Sequence, residues 1–463
     1  MDTQPIGEPG LEPREATCAR WVGMDRLELA LLGLFVAVVA PFVPGLHAQE
    51  ASRYAFTAAV TEQGRFEVDD YEELLSADRV DLNGHVYSDK APGQPLLGVP
   101  VLAVAEWLGA EPGTEIRHFG NLGAWSQSLA FCVVPGAVLL LLMRRNAARS
   151  EPASYALVAA MALSFGTLLL PMSSALYAHV FVAALTFGAW HILSGEEDPS
   201  TPVVLGAGLL VALAIVSEYP MAGVALVLGI HVSARMGWRR TLVFGLPQIF
   251  AGLSVVMMNQ IVYGFAGTSY EAKEDGSAPV SLIPNPSHLF RIFFGEKGYA
   301  FTPIVIVGVV GLMVCLRRKQ FDILVPTAVF GGFLLLQSGW SNPWGGEPPG
   351  SRYILPALPF LVVPVARMLP HIRSRARNGL IALGAFSMSL PLITMPLVRS
   401  DETLIVGHLL NIDRFGLTPT IFTMALGPAG WIPHMALVLV FGYHVRKRWP
   451  TVSSPRPLPA SGP

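Results

Sequence analysis

The residues best suited to chemistry are concentrated between positions 50 and 93. This stretch contains three acidic and two basic residues of interest: Glu50, Asp69, Asp70, Arg53 and Lys90. A carboxylate within hydrogen-bonding distance of a hydroxyl can accept its proton, and arginine or lysine can bind a phosphate or another anion. The stretch therefore has the residue types for acid–base chemistry on an anionic substrate.

Three further ionisable residues lie where apolar segments begin or end. Arg352 enters an apolar segment below a Gly- and Pro-rich loop, where an arginine needs an anionic partner, either a phosphate or a structural carboxylate. Glu218 precedes Tyr219-Pro220 at a turn and could face a cavity or merely cap the turn. His179 opens another apolar segment, where a lone histidine is more often a packed interfacial residue than a ligand.

The elements that must position these residues are membrane helices. The chain of 463 residues is 52% hydrophobic and only 14% charged, and its mean hydropathy is +0.50. This composition is not that of a soluble domain and leaves no room for a large one. Apolar runs of about 20 residues, the length that crosses a bilayer core of about 30 Å, recur along most of the chain. The sequence therefore predicts a polytopic membrane protein.

The hydropathy pattern predicts an all-α bundle of about 12 transmembrane helices. The predicted spans lie near residues 27–46, 121–143, 153–171, 176–193, 202–217, 220–235, 241–263, 301–316, 322–339, 353–369, 379–397 and 426–445. Pro95–Gly109 is also apolar, but it is short and we expect a juxtamembrane helix at the outer surface. If it crossed the membrane, the basic cluster at Arg144 and Arg145 would face outward, against the excess of basic residues in cytoplasmic loops.

This topology places both termini in the cytoplasm of a protein in the plasma (inner) membrane. It divides the chain into a flexible tail at 1–25, a transmembrane domain at 26–445 and a disordered tail at 446–463. Two long polar segments, 47–120 and 264–300, then face outside. Apolar and aromatic residues recur in them at helical spacing: Tyr54, Ala58 and Thr61 in the first, and Leu289, Ile292 and Phe293 in the second. Both segments should therefore fold onto the membrane surface, and surface helices of the first should roof an external cavity.

Five short segments occur in a characteristic order along the chain. They are Glu50-Ala-Ser-Arg53-Tyr54, Val68-Asp69-Asp70-Tyr71, Asn83-Gly84-His85-Val86-Tyr87-Ser88-Asp89-Lys90-Ala91-Pro92-Gly93, Trp344-Gly345-Gly346 and Gly350-Ser351-Arg352-Tyr353. This order resembles the GT-C superfamily of integral membrane glycosyltransferases. It is most similar to the bacterial relatives of protein O-mannosyltransferase and of the lipid A aminoarabinose transferase. The resemblance covers most of the chain, from about residue 27 to residue 370.

The resemblance implies a transferase that moves a sugar from a polyprenyl-phosphate donor to an acceptor hydroxyl on the external face. A hydroxyl is a poor nucleophile, so a carboxylate must take its proton as it attacks the anomeric carbon. The leaving group is a lipid phosphate, and its developing charge needs arginine or lysine at the membrane surface. Lys90, Arg53 and Arg352 are expected to bind this phosphate, and Glu218 and His179 could line the cavity.

The sequence leaves open which carboxylate is the base. Many relatives carry an Asp-Glu pair shortly before an Arg-Tyr, and Glu50 is nearest to that position, although Gln49 replaces the aspartate. In the subgroup whose loop is most similar to this one, the acid lies in the later VDDY segment, which favours Asp69 or its neighbour Asp70. The other acidic residues of the loop are expected to form a solvated face: Glu72, Glu73, Asp78 and Asp81.

Lys90 has both a functional and a structural interpretation. It matches a Lys-Pro-type signature of related enzymes, and Pro92 would rigidify the turn that aims its ammonium group. In the functional interpretation it contacts the donor phosphate. In the structural one it is a lysine whose stem lies along the apolar surface while its ammonium reaches the headgroups.

No cofactor is expected from the sequence. His85 and His118 have no spacing that would assemble a metal site with the acidic residues, so no obligatory metal is predicted, although some relatives use one. The expected partners are a polyprenyl-phosphate-linked sugar, membrane lipid, and a glycan, lipid or protein acceptor, with no nucleic acid. Two alternatives stay open: a 12-helix transporter, which would bury ionisable groups near the bilayer midplane, and a noncatalytic lipid-binding or assembly protein.

Overall fold

The computed structural model describes residues 23–43, 45–76, 78–111, 121–267, 280–281, 283–399 and 401–450. Most of the predicted tails and His118 lie outside these residues. The described chain is mainly helical, as predicted. Six of its helices are long and apolar enough to cross a membrane, or seven if a pair bent by 118° at residues 302–303 forms one span. The total of about 12 spans stays a prediction.

The chain begins with a helix and a compact cap. Helix α1 (Arg26–Val39) starts with a capping box in which Asp25 and Glu28 each accept a hydrogen bond from the other's backbone amide. Helix α2 (Ala48–Ala58) continues through a π-helical turn, Ala59–Gln63. A two-stranded antiparallel sheet, β1 (Arg79–Leu82) and β2 (His85–Ser88), and helix α3 (Gly93–Trp107) complete the cap.

The remaining helices form the bundle together with α1, which occupies the predicted span 27–46, and every other predicted span contains one of them. They are α4 (Leu122–Ser128), α5 (Val134–Ala147), α6 (Ala153–Phe165), α7 (Leu169–Met172), α8 (Ala178–Leu193), α9 (Thr201–Ser217), α10 (Met221–Met236), α11 (Trp238–Tyr263), α12 (Pro286–Phe294), α13 (Ile304–Arg317), α14 (Leu324–Gly339), α15 (Val362–Met368), α16 (Ser374–Ile393), α17 (Leu404–Phe415), α18 (Ile421–Leu426) and α19 (Trp431–Lys447). A π-helical turn joins α4 to α5, and a 3-10 helix that starts at Arg352 leads into α15.

The bundle has two ends, which we name by their residues. The loop end carries α2, α3 and the two strands, and the far end carries the start of α1. Helix α19 runs antiparallel to α1, because His434 near its start contacts the Ala37 carbonyl at 3.1 Å and Phe441 near its end lies against Gly33. The end of α19 therefore returns to the far end. Glu28 of α1 is paired there with the arginines that end α5.

The cap has a hydrophobic core of its own. Tyr54, Phe56 and Tyr71 are buried in it together with Val86 and Leu102, separately from the main core of the bundle. Burial of side chains of this size contributes about 1.5–3 kcal/mol each. The long first loop is therefore a folded element, as its helical spacing predicted. In the second long segment, Leu289, Ile292 and Phe293 all lie in α12, and the placement of both segments on the membrane surface stays a prediction.

The two strands are a correction to the all-α prediction. Asn83 and Gly84 connect them with positive φ angles of 55° and 83°, the backbone of a tight two-residue hairpin turn for which Asn-Gly is the favoured sequence. The hairpin pairs Leu82 with His85 and Arg79 with Ser88. It carries the chain from the acidic segment to the Ser-Asp-Lys segment.

Candidate functional site

Helix α2 presents the Glu50 motif to the interior of the protein. Arg53 and Tyr54 lie three and four residues after Glu50, which places all three on one face of the helix. All three side chains are buried. Charged residues are almost never fully buried without partners or a function, so their surroundings are informative.

Glu50 is a buried carboxyl group with few partners. It is fully inaccessible to solvent, and neither of its oxygens makes a well-formed hydrogen bond with a described residue. Burial raises the pKa of Glu50 to about 8, although its own backbone amide, the Tyr177 hydroxyl and the Arg352 guanidinium act in the opposite direction. A carboxyl group tuned to titrate near neutral pH is suited to exchange a proton with a substrate.

Arg352 lies close enough to this carboxyl group for its charge to act on it. Its guanidinium packs over the rings of Tyr177 and Tyr353, at 5.9 and 5.0 Å from their centroids. It donates a hydrogen bond of 3.1 Å to the Tyr353 hydroxyl. With its amide oxygen turned toward the guanidinium, Gln49 accepts two hydrogen bonds, of 3.2 and 2.8 Å. These are neutral partners, so the positive charge of Arg352 is held in place without a carboxylate at ion-pair distance in the described chain.

Arg53 is paired with Glu218. The two side chains form a buried ion pair, and Arg53 also donates to the Gln94 side chain at 3.1 Å. Burial alone would raise the pKa of Glu218, but the positive charge of Arg53 lowers it to about 2. The Nδ1 atom of His179 lies 3.4 Å from the same carboxylate. Glu218 and His179 therefore face the cluster, and a functional role for either stays a prediction.

Lys90 lies between two carboxylates. Its Nζ atom is 2.8 Å from Asp78 and 2.8 Å from Asp89. Although burial alone would lower the pKa of Lys90, the charges of Asp89 and Asp78 raise it above the ordinary value. Asp78 is four-fifths buried and belongs to the site, so the expectation that it forms part of a solvated face is wrong.

Ser88 ties the Lys90 segment to its neighbours. Its hydroxyl is 2.7 Å from the Ser52 hydroxyl of α2 and accepts the Lys90 amide at 3.2 Å. Its carbonyl accepts a hydrogen bond of 2.8 Å from the Tyr263 hydroxyl at the end of α11. Three elements far apart in sequence thus meet at one serine and fix the position of Lys90.

Gly93 brings the end of α9 against the start of α3. A Cβ atom on Gly93 would lie 2.6 Å from the Val216 side chain and 2.7 Å from the Val216 backbone. Only glycine leaves room for this approach. Because Glu218 follows directly after α9, the contact sets the distance between Glu218 and the Lys90 segment.

Asp69 and Asp70 are not brought into this cluster. Asp69 is bonded to the His85 ring at 2.8 Å and accepts the Val86 amide at 2.7 Å. Burial alone would raise the pKa of Asp69, but the bonds from the His85 ring and the Val86 amide together lower it. Asp70 is half exposed and paired with Arg65 at 2.7 Å. Asp69 thus holds the hairpin and Asp70 pairs with the segment before it, and the geometry favours Glu50 as the candidate base.

Several residues of the cluster carried little signal in the sequence. Tyr177 has no motif of its own, Gln49 stands where relatives carry an aspartate, and Asp78 resembles one of several surface acids. Asp89 directly precedes Lys90, and Gln94 directly follows Gly93, the last residue of the same motif. Proximity to Lys90 could have identified Asp89, whereas Tyr177 is 127 positions away from Glu50 (177 − 50) and only the fold joins them.

An apolar groove opens beside the cluster. It lies between the first half of α10 and the part of α14 from Ala328 to Leu336, holds about 290 Å³, and is lined at its loop end by Pro220 and Leu336. Glu218 lies two residues before Pro220, and Gln337 directly follows Leu336. Gln337 in turn accepts the Tyr353 amide at 3.0 Å. By contrast, the enclosed space beside Lys90 holds only about 10 Å³, which is room for about one water molecule.

Within the described residues, no group of three His, Cys, Asp or Glu side chains is arranged to hold a metal ion. The carboxylates of the cluster instead neutralise cations, as Asp78 and Asp89 do for Lys90 and Glu218 does for Arg53. Whether the protein needs a metal stays a prediction.

The fold has counterparts among solved structures. The chain is similar to ArnT from Cupriavidus metallidurans bound to undecaprenyl phosphate, with a TM-score of 0.50 and 14% sequence identity over 91% of this chain and 76% of that one. It is also similar to arabinosyltransferase EmbB from Mycobacterium smegmatis, at a TM-score of 0.46 and 11% identity over 96% of this chain and 43% of that one. A third similarity is to the archaeal oligosaccharyltransferase AglB from Archaeoglobus fulgidus in complex with an inhibitory peptide and a dolichol-phosphate, at a TM-score of 0.44 and 11% identity over 94% and 61%.

The similarity to ArnT agrees with the fold that the predicted resemblance implies. At 14% identity it shows the fold alone. This chain spans less than two thirds of the EmbB and AglB chains, and their lower TM-scores add no further support. No protein-family model matches the sequence, and no curated protein matches it.

Proposed function

We propose that this multi-pass membrane protein is a glycosyltransferase that moves a sugar from a polyprenyl-phosphate donor to an acceptor hydroxyl. The proposal rests on one observation, the buried Glu50 carboxyl group in the same polar cluster as Arg352. A proton acceptor next to an anion site is what transfer from a phosphate to a hydroxyl requires.

In this proposal Glu50 is the general base. Its carboxylate accepts the proton of the acceptor hydroxyl while the hydroxyl oxygen forms a bond to the anomeric carbon. The bond from that carbon to the phosphate oxygen breaks, and the polyprenyl phosphate leaves with the bonding electron pair. Protonated Glu50 must then pass this proton on to water before the next turnover. Because the pKa of Glu50 is about 8, its carboxylate is a stronger base than an exposed glutamate.

Arg352 is the proposed ligand of the donor phosphate. Its charge is held by tyrosines and Gln49 rather than by a carboxylate, so a phosphate would be its first anionic partner. Guanidinium groups bind phosphates with two parallel hydrogen bonds. Lys90 and Arg53 would raise the local positive potential, each sharing its charge with the carboxylates already beside it.

The groove between α10 and α14 supports lateral entry of the donor tail from the bilayer. It is apolar and open, and its loop end lies next to Glu218 and Gln337. A polyprenyl chain in this groove would bring its phosphate to the level of Arg352. The undecaprenyl phosphate named for the ArnT structure belongs to the same class of ligand.

The loop end would face the outside of the plasma membrane, and both termini would lie in the cytoplasm. The antiparallel arrangement of α1 and α19, which brings the two ends of the described bundle to the same side, is consistent with this topology. The acceptor hydroxyl, on a protein, a glycan or a lipid, would then reach Glu50 from the external aqueous side.

The two alternatives are less well supported. A transporter would bury its ionisable groups in mid-helix near the bilayer centre, whereas Glu218 and His179 lie at the end of α9 and the start of α8. A noncatalytic lipid-binding protein would keep the lipid site and would have no use for a carboxyl group with a raised pKa.

The test is to incubate the purified full-length protein with a panel of polyprenyl-phosphate sugars and to follow donor consumption by mass spectrometry. We expect one donor to be consumed and to raise the unfolding temperature. Arg352→Ala should remove both effects, and its matched control, Arg399→Ala at a 65% exposed arginine, should change neither.

Three outcomes would count against the proposal. If no donor stabilised the protein and none was consumed, transferase activity would be ruled out for this panel, and the transporter alternative would be favoured. Stabilisation without consumption, unchanged in Glu50→Gln, would favour the noncatalytic lipid-binding protein. Full activity of Arg352→Ala would remove the phosphate assignment while leaving the reaction in place.

A further inference from the structure

A second groove lies toward the far end of the bundle, away from the Glu50 cluster. It is bounded by α1, α6, α16 and Trp449, which follows α19, and it holds about 480 Å³. We name it the far-end groove. Its volume lies within the range of about 300–1,000 Å³ that is typical of small-ligand sites.

The far-end groove is polar at one end and apolar along the rest. Ser154 near the start of α6 and Arg377 near the start of α16 form its polar end. The Ser154 side chain is buried, and its hydroxyl has no hydrogen-bond partner among the described residues. Toward the loop end, Leu34 and Phe165 line the wall. This profile matches a molecule with a polar head and an apolar tail.

The electrostatics of the polar end favour an anion. The acidic residues that flank the lining helices here are each neutralised, Asp25 and Glu28 by the arginines that end α5 and Glu151 by Arg367. Arg377 belongs to the group Arg373, Arg375 and Arg377, none of which takes part in an ion pair of the described chain. The amino termini of α6 and α16 also meet here, and helix amino termini carry partial positive charge.

We propose that the far-end groove binds a glycerophospholipid with an anionic headgroup. Its phosphate would contact Arg377 and the Ser154 hydroxyl, and an acyl chain would lie along Leu34 and Phe165. In the bilayer the apolar part of the groove is filled best by a hydrocarbon chain, since Leu34 and Phe165 offer water no hydrogen-bond partners. A free phosphate would leave the apolar part empty.

The segment that follows the groove, residues 451–463, is a poorer occupant. It reads TVSSPRPLPASGP, with a single large apolar side chain at Leu458 and a positive charge at Arg456. This charge would be repelled by Arg377 and its neighbours. Charge complementarity therefore favours the anionic lipid over the chain's own end.

The experiment compares two lipids with identical acyl chains on the purified, delipidated full-length protein. Phosphatidylglycerol, which is anionic, should raise the unfolding temperature by about 3 °C or more beyond the effect of zwitterionic phosphatidylcholine. Native mass spectrometry should detect one retained phosphatidylglycerol. Arg377→Glu should abolish the difference between the lipids, and Ser154→Ala should reduce it. Arg239→Glu, an equal charge change at an exposed residue at the far end of the bundle, should leave it intact.

The proposal is overturned if both lipids stabilise the protein equally or if Arg377→Glu keeps the preference. It is also overturned if the preference emerges only after residues 451–463 are deleted, because the chain end would then occupy the groove. Stabilisation through Arg377 by polyprenyl phosphate but not by phosphatidylglycerol would assign a different ligand. None of these results depends on sugar transfer.

Discussion

At the scale of single residues, Glu50 and Arg53 stand one helical turn apart on α2, yet burial affects them differently. Arg53 finds a carboxylate partner in Glu218, whereas Glu50 has neutral Tyr177 and the more distant charge of Arg352. Removing one partner of a buried ion pair costs about 3–5 kcal/mol because the other charge is left uncompensated, so Arg53 and Glu218 explain each other's burial. Glu50 has no such partner, and this makes it the member of the cluster whose presence is best explained by chemistry.

The first prediction concerns the role of Glu50 in sugar transfer. Glu50→Gln keeps the shape of the side chain and cannot accept a proton, so we expect the transfer rate to fall by about 10²–10⁴-fold. In the wild type, the rate should rise with pH and level off above about 8, where the Glu50 carboxyl group is ionised. The measurement is the initial rate of product formation across this pH range.

Asp70→Asn is the matched control for this experiment. It also replaces a carboxylate of the first loop by an amide, but Asp70 is 51% exposed and paired with Arg65, so the rate should change less than twofold or so. The base would have to be reassigned if Asp70→Asn or Asp69→Asn lost activity as severely as we expect for Glu50→Gln while both variants stayed folded.

The second prediction concerns stability. The pKa of Glu50 is about 8 in the folded protein and 4.5 in the reference state. The folded state therefore holds a proton that the unfolded state releases between these pH values, and stability should fall as pH rises through this window. Glu50→Gln has no such proton. We expect its unfolding temperature to exceed that of the wild type at pH 8 and to match it near pH 4.5. The corresponding difference in the free energy of unfolding at pH 8 is at most about 5 kcal/mol. Equal pH dependence of the two proteins would contradict the raised pKa.

At the scale of elements, local patterns predicted what lies close in sequence. Apolar runs predicted the helices, and the spacing of Tyr54, Ala58 and Thr61 predicted that the first loop contains helix. Asn83-Gly84 between two short alternating segments is a sequence signal for a hairpin. The two residues also begin the longer motif Asn83–Gly93, and the hairpin itself was not predicted. The pairing of Arg53 with Glu218 spans 165 positions and depends on how α2, α3 and α9 pack. No local pattern encodes such packing.

The third prediction tests that packing at Gly93. Gly93→Ala adds a Cβ atom 2.6 Å from the Val216 side chain and 2.7 Å from its backbone, so α3 and α9 must separate. We expect a loss of about 1–3 kcal/mol in stability. Because Glu218 moves with α9, sugar transfer should fall by more than the folded fraction does. The measurements are thermal unfolding and the transfer rate per folded molecule.

Gly206→Ala in the same helix α9 provides the control. A Cβ atom there meets no atom within 4 Å, and alanine is the better helix former by about 1 kcal/mol. This variant should be at least as stable as the wild type and equally active. If Gly93→Ala behaved in the same way, the close approach of α3 and α9 would not be what positions Glu218.

At the scale of the whole molecule, the two ends of the bundle differ in charge and in what they can bind. The loop end brings Glu50, Lys90 and Arg352 together beside the groove of α10 and α14. The far end collects basic side chains such as Arg373 and Arg375. Basic residues are retained on the cytoplasmic side of membrane proteins, so this difference predicts the orientation. The apolar pattern alone predicted the helices and left their direction to the distribution of charge.

The fourth prediction is therefore the orientation itself. In a Cys18→Ser background, Cys132 and Cys315 are buried and should not react. Ser76→Cys adds an exposed thiol to the cap at the loop end, and Ser374→Cys adds one at the far end. A membrane-impermeant maleimide should label Cys at position 76 in intact cells and at position 374 only after permeabilisation, because a charged reagent cannot cross the bilayer. The reverse pattern would place the Glu50 cluster on the cytoplasmic side, and the acceptor would then have to be a cytoplasmic molecule.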